Sequence, residues 1–219
     1  MMDKTLWINE KRYKELHTTN FIPLDLKIDC KLFEKEIKDY DWAFRQWGIH
    51  HTEFPRYGLP LVNENGSLKN NPEPTCWPLD QWADYNNLTY YEDICDLSFT
   101  TPTEILNIKS LNPLYNIKKF MVRSNILKWH ATGHFKPHVD THIPSPIIRL
   151  WGTNDPENYS FRFQNDDGEY IPQNNIERGR IYLIDTSKMH DAFATSDNVY
   201  QFFIALHYNS YNIIKKLCL

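Results

Sequence analysis

The sequence predicts a single, mostly β domain, a double-stranded β-helix of the jelly-roll kind with N-terminal helices packed on one of its sheets. Two observations carry this. Beyond about residue 112, segments rich in β-branched and aromatic residues recur at 117–130, 146–151, 159–163, 180–185 and 199–208, separated by Pro, Gly, Asn and Asp clusters. Ahead of them the chain shows helical spacing instead, so the helices brace a sheet rather than alternate with its strands. A chain of 219 residues suits one domain with a substantial core. The expected division within that single domain, 1–219, is a helical and loop elaboration over 1–112 and a jelly-roll core over 113–210.

Taken in order, Phe33, Ile37, Tyr40, Phe44 and Trp47 alternate steps of four and three, the spacing of one buried helix face, with Gly48 as a C-terminal stop. The stretch from His50 to Pro78 is rich in Pro, Asn and Gly and reads as a long loop, a length often tied to function. Thr101, Pro102 and Glu104 read as a capping box with proline in the first helical position, opening a short helix to about Ser110. The β segments follow.

Composition excludes several function classes. A formal charge of -4 and a pI near 6.1 give no electrostatic reason to expect a nucleic-acid partner. The four cysteines, Cys30, Cys76, Cys95 and Cys218, contain no CxxC pair, which speaks against a zinc knuckle or a disulfide scaffold and for reduced thiols in a cytoplasmic chain. The N-terminus lacks an apolar signal core, and no apolar run approaches the length that spans a bilayer, so no membrane partner is expected.

The most informative stretch is K-W-H-A-T-G-H-F-K-P-H-V-D, from Lys128 to Asp140, together with D-T-S-K-M-H ending at His190. His138 and Asp140 stand one residue apart, so on a strand both leave the same face, with Val139 directed away. His190 follows far enough downstream for intervening strands to return the chain. Two imidazoles and one carboxylate on one face of an ion form the ligand set of non-haem iron(II) oxygenases and leave positions open for co-substrate and dioxygen. An HxD pair alone occurs often by chance; its placement on one predicted strand, with the distal histidine after a second, raises the odds. Zinc is the competing metal, but no HExxH-type general base accompanies the ligands, which favours iron. His134 and His142, about 13 Å from His138 at roughly 3.3 Å per residue, are too far to share the ion and are read as pocket-wall or substrate-binding residues.

These motifs resemble the aspartyl/asparaginyl β-hydroxylases within the iron(II)/2-oxoglutarate-dependent dioxygenases. The run W-H-A-T-G-H-F-K-P-H is similar to that family's M-H-P-G-T-H-x-x-P-H. R-L-W-G at Arg149 to Gly152, S-F-R-F at Ser160 to Phe163 and G-R-I-Y-L-I-D-T-S-K-M-H at Gly179 to His190 are similar to its later motifs in unbroken order. The resemblance covers about residues 120–208. It implies iron ligation by His138 and His190, with Arg149 and Arg162 facing the pocket, where an arginine fork suits a carboxylate. Asp140 stands where many members have glycine, and Trp151 where they have histidine. Tyr200 occupies the position of the arginine that holds the far carboxylate of 2-oxoglutarate. Its hydroxyl with another cation, or Arg149, Arg162, Arg123 or Lys128, would have to take over.

The expected activity is hydroxylation of a C–H bond with Fe(II), 2-oxoglutarate and dioxygen. The expected partner is an Asp- or Asn-type residue in a protein or peptide, or a free amino acid. Trp129, Trp151 and Phe135 are candidate pocket walls, and the loop bearing Arg56, Tyr57 and Gly58 a candidate substrate-selecting cover. Rival readings are a jelly-roll metal-binding module without catalysis, a prolyl-hydroxylase-like oxygenase, and a dioxygenase using no 2-oxo acid.

Overall fold

The computed structural model describes residues 8–47, 56–69, 83, 84, 86–89, 95–143 and 145–219. Its central element is a seven-stranded antiparallel sheet. The strands are β1 (Phe21–Lys27), β2 (Arg45–Gln46), β3 (Arg56–Pro60), β6 (Met121–Trp129), β8 (Ile147–Thr153), β11 (Arg180–Ile184) and β13 (Val199–His207), in the order β1-β11-β8-β13-β6-β3-β2. Facing it is a four-stranded sheet of β7 (His134–His138), β9 (Tyr159–Gln164), β10 (Tyr170–Pro172) and β12 (His190–Ala194), in the order β10-β9-β12-β7. A two-stranded ribbon pairs β4 (Val62–Asn63) with β5 (Thr101–Pro102). Apart from the β9–β10 hairpin within the small sheet, successive strands from β6 onward alternate between the two sheets in the crossing pattern of a double-stranded β-helix. The expected jelly roll is therefore the fold.

Period-two patterning explains how each strand sits. On β13, Gln201 and Phe203 face the small sheet, whereas Tyr200, Phe202, Ile204 and Leu206 face outward into a second core. On β8, Arg149 and Trp151 face inward and Ile148 and Leu150 outward. Both faces of the large sheet are covered, so β8 is buried along its whole length. The small sheet has one wet face, and β9 alternates accordingly.

The outward core is roofed by the N-terminal half. Helix α1 (Glu10–Leu16) and helix α2 (Cys30–Glu36) are each capped by an Asx side chain, Asn9 accepting from the amide of Arg12 and Asp29 from that of Leu32. Phe33 on α2 sets its ring edge-on to Phe202, with centroids 4.9 Å apart. A C-terminal helix, α3 (Tyr211–Leu217), adds Ile214 to the same core.

Several expectations for the first 112 residues need correction. The helix over 30–48 is α-helical only to Glu36, continues as 3-10 helix over Ile37–Ala43, and gives way to β2, while Gly48 lies outside the described residues. Phe33, Ile37, Tyr40 and Phe44 do join the outward core, but Trp47 turns in between the sheets. The presumed loop from His50 contains β3, which pairs with β6 from Arg56 opposite Trp129 to Pro60 opposite Asn125. Pairing with a long central strand overrides the turn-like composition R-Y-G-L-P. Strand β1 also went unrecognised, although its burial alternates over F-I-P-L-D-L-K. The elaboration thus contributes three strands to the large sheet. Thr101 and Pro102 form a strand, not a capping box; the 3-10 helix starts at Glu104, whose carboxylate accepts from the amide of Leu68.

Gly179 turns the chain into β11 at φ +76°, and a Cβ there would collide with the carbonyl oxygen of Ile28, whose own amide donates to Gly179 O at 2.9 Å. Gly179→Ala is expected to cost at least about 2 kcal/mol, from the left-handed backbone and the fixed carbonyl together. Chemical denaturation of the two proteins checks it.

Candidate metal centre

Strand pairing brings the three predicted ligands together. His190 opens β12 directly opposite His138 at the end of β7, and their ring centroids lie 4.3 Å apart. Asp140 does not share the strand of His138. Strand β7 stops at His138, and the next turn is tied across the cavity mouth by the amides of Asp140 and Thr141, both donating to Thr186 O at 3.0 Å. The hydroxyls of Thr141 and Thr186 meet at 2.6 Å beneath that tie. Because the turn breaks the alternation, Val139 also lines the cavity, contrary to its expected outward direction. The segment leading to His190 is anchored at Asp185, which accepts from Tyr13 Oη of α1 at 2.8 Å and from the amide of Ser187 at 3.1 Å. A helix from the N-terminal half therefore steadies the distal ligand.

The chemistry of the donor set is settled by the rings' other nitrogens. Nδ1 of His138 lies 2.7 Å from Lys136 O, and Nδ1 of His190 lies 2.8 Å from Lys188 O. A carbonyl can only accept, so both Nδ1 atoms carry a proton and both rings are left with Nε2 as the atom that can ligate an ion. These Nε2 atoms converge on Asp140, with His138 Nε2 at 3.4 Å and His190 Nε2 at 3.6 Å from its two oxygens. Nε2 of His138 is buried without a hydrogen-bond partner among the described residues. All ligand atoms fall within 4.8 Å of one another. Three converging acceptors with backbone-fixed tautomers are satisfied together by a divalent cation, so the residues fit a metal ion. Phe161 stacks on the His190 ring, with planes 13° apart, and fixes its plane.

The triad opens onto a cavity of about 420 Å³ between the sheets, lined by apolar side chains and a few polar ones. Arg149 and Arg123 line it from the large sheet and share the buried carboxylate of Asp96, at 3.5 Å and 4.0 Å respectively. Gln201 accepts from Trp129 Nε1 at 3.1 Å and from Tyr159 Oη at 2.8 Å at the deep end. His142 stands exposed at the mouth.

Other expectations are redirected. Arg162 lies on the opposite face of β9 from Tyr159 and Phe161, where it forms a two-pronged pair with Asp191, so it does not face the pocket. His134 lies 3.5 Å from the same Asp191, away from the cavity. Tyr200 points into the outward core against Phe33 and Phe44, and Lys128 pairs with Asp41 on that side at 2.5 Å. Even-numbered residues of β6 and β13 face outward there, which removes both from the pocket. Trp151 lies between the sheets as part of an aromatic cluster with Phe21 and Phe161. Arg56 belongs to β3, not to a surface cover, and is 1% exposed. Sequence reasoning missed Asp96, Trp47, Tyr159 and Gln201. For Gln201 a signal existed, since period two places it on the inward face that its neighbour Tyr200 leaves.

No family model matches the sequence, and no curated protein matches it. Among solved structures the chain is similar to a Pseudomonas putida prolyl-4-hydroxylase, at 9% identity and a TM-score of 0.47 over 90% of this chain and 97% of that one. It is also similar to a Trichoplax adhaerens prolyl hydroxylase in complex with a hypoxia inducible factor oxygen degradation domain peptide fragment, at 8% identity and a TM-score of 0.45 over 94% of each chain. A third is an oxidoreductase of the 2OG-Fe(II) oxygenase family from Burkholderia pseudomallei, at 9% identity and a TM-score of 0.41 over 78% and 75%. None of the three is described as an aspartyl/asparaginyl β-hydroxylase. At such scores these likenesses carry no argument; fold and chemistry rest on the strand order and side chains above. Among the described residues no helix is long and apolar enough to cross a membrane.

Proposed function

We propose that the chain is a non-haem iron(II)- and 2-oxoglutarate-dependent dioxygenase that hydroxylates a C–H bond of an amino-acid residue in a protein or peptide, or of a free amino acid. The observation that carries this reading is the convergence of two Nε2 atoms and one carboxylate at the mouth of an enclosed, mostly apolar cavity. Two imidazoles and a carboxylate suit iron(II) and leave coordination positions for two small ligands. Iron(II), when bound, supplies the coupling of dioxygen reduction to oxidative decarboxylation of the 2-oxo acid, giving succinate, carbon dioxide and one oxygen atom for the substrate.

The chain's own residues do the rest. Lys136 O and Lys188 O hold the tautomers, Phe161 holds the plane of His190, and the Thr141–Thr186 tie holds Asp140. Aromatic walls, Phe135, Tyr159 and Phe161, exclude water from the reacting centre. Arg149 and Arg123 are cations suited to an acidic group on the substrate, which supports an Asp-type target.

The test is succinate formation from 2-oxoglutarate with added iron(II), alone and with Asp-, Asn- and Pro-containing peptides. The expected result is succinate release stimulated by one peptide class. Absence of turnover under every condition, together with absence of 2-oxoglutarate binding, would leave only a metal-binding jelly roll.

A further inference from the structure

Three buried hydrogen-bond donors without acceptors among the described residues belong to one side chain, Arg56, which lies against the cavity-lining Phe135. Arg56 enters from β3, outside the double-stranded helix, and its Nε, Nη1 and Nη2 all lack partners among the described residues although the side chain is 1% exposed. An unpaired guanidinium so buried costs several kcal/mol unless a ligand offsets it. Aromatic faces flank it: the guanidinium carbon lies 3.8 Å from the Phe135 ring centroid and 5.5 Å from that of Trp129. Trp151 Nε1 is directed at the Tyr159 hydroxyl oxygen, which in turn donates to Gln201 Oε1. Gln201 Oε1, the nearby acceptor, already takes two donors. Burial drives the Arg56 guanidinium down to about 9, with Tyr159 and Asp140 opposing, so the empty cluster disfavours the charge it contains. Tyr159 is pushed up by burial and stays a neutral hydroxyl, its proton given to Gln201.

We propose that Arg56 is the receptor for the carboxylate of 2-oxoglutarate remote from the metal. This rests on the oxygenase reading above and takes over the role for which Tyr200, facing the outward core, is unavailable. Two 3.8 Å steps through the Phe135 ring connect the guanidinium carbon to the His138 ring, so metal and receptor sit at opposite ends of one short span. Phe135 contacts both, its plane at 46° to the His138 ring, and on this proposal its ring turns aside to admit the acid. The carboxylate then meets the edge of a planar fork, the geometry of bidentate capture.

The experiment compares binding of 2-oxoglutarate and pyruvate, a 2-oxo acid lacking the remote carboxylate, to the manganese(II)-loaded protein by calorimetry without oxygen. Wild type is expected to prefer 2-oxoglutarate. Arg56→Met should bind it about ten- to a hundredfold more weakly, the loss of a charge-assisted pair, with pyruvate affinity unchanged. Arg56→Lys, which keeps the charge but not the fork, should fall between and supports the assignment even if the methionine variant folds poorly. The melting temperature of the metal-free Arg56→Met protein should not fall, because no hydrogen bond is lost. A retained preference for 2-oxoglutarate in both variants, or a lowered melting temperature with unchanged selectivity, would overturn the role of Arg56. Wild type that binds manganese(II) but neither acid would instead overturn the co-substrate reading itself.

Discussion

Asp140→Asn is expected to weaken iron(II) binding by more than about a hundredfold and to abolish succinate formation, while leaving the fold intact. Groups that merely orient a metal ligand cost ten- to a hundredfold when removed, so loss of the one anionic ligand should cost more. Folding should survive because the carboxylate faces the two imidazoles, whereas the backbone amides of Asp140 and Thr141 carry the turn. Asparagine keeps size and shape but removes the charge that balances a divalent ion. Anaerobic metal titration, paired with a thermal melt, separates the two effects. Equal metal affinity in the variant would remove Asp140 from the ligand set. His138→Ala should behave likewise, and the lone Nε2 left at His190 should not hold the ion.

Phe202→Ala carries the largest expected cost in stability, about 3–5 kcal/mol. Phe202 is fully buried on β13, the central strand flanked by β6 and β8, and its ring receives Phe33 of α2. Truncation empties the contact that joins the helical roof to the large sheet, and the surrounding β-strands cannot collapse into the space. For a chain of this size the change corresponds to a fall in melting temperature of about 10 °C or more. Chemical denaturation gives the free energy directly. Metal affinity should be little changed, because Phe202 faces away from the site; a variant equally damaged in both would show that the outward core shapes the centre.

The two predictions divide along the faces of the same strand. Gln201 and Phe203 face the chemistry while Tyr200 and Phe202 face the support. That division explains why a comparison by position led from an expected arginine to Tyr200, which stands on the wrong side. The position was legible from the sequence, but the face was not, because a bulge between Phe203 and Ala205 and the pairing of both edges belong to the assembled sheet.

The sequence by itself determined, through alternation and turn chemistry repeated at short intervals, the jelly-roll class and the longer β segments, though the first begins at Met121 after a 3-10 turn and the short strands β10 and β12 escaped it. It also singled out the three candidate ligands, since two histidines and an aspartate in motif spacing are chemically distinctive wherever the chain takes them. Only the tertiary structure decided which cations face the cavity. Arg162 is taken by Asp191 on the far face of β9, whereas Arg56, more than seventy residues ahead of the metal motif, arrives through the pairing of β3 with β6. A residue's type and spacing record its chemistry and local period. Its partners across a sheet are set by register and by which face finds a second layer, and these arise from contacts between segments far apart in the chain.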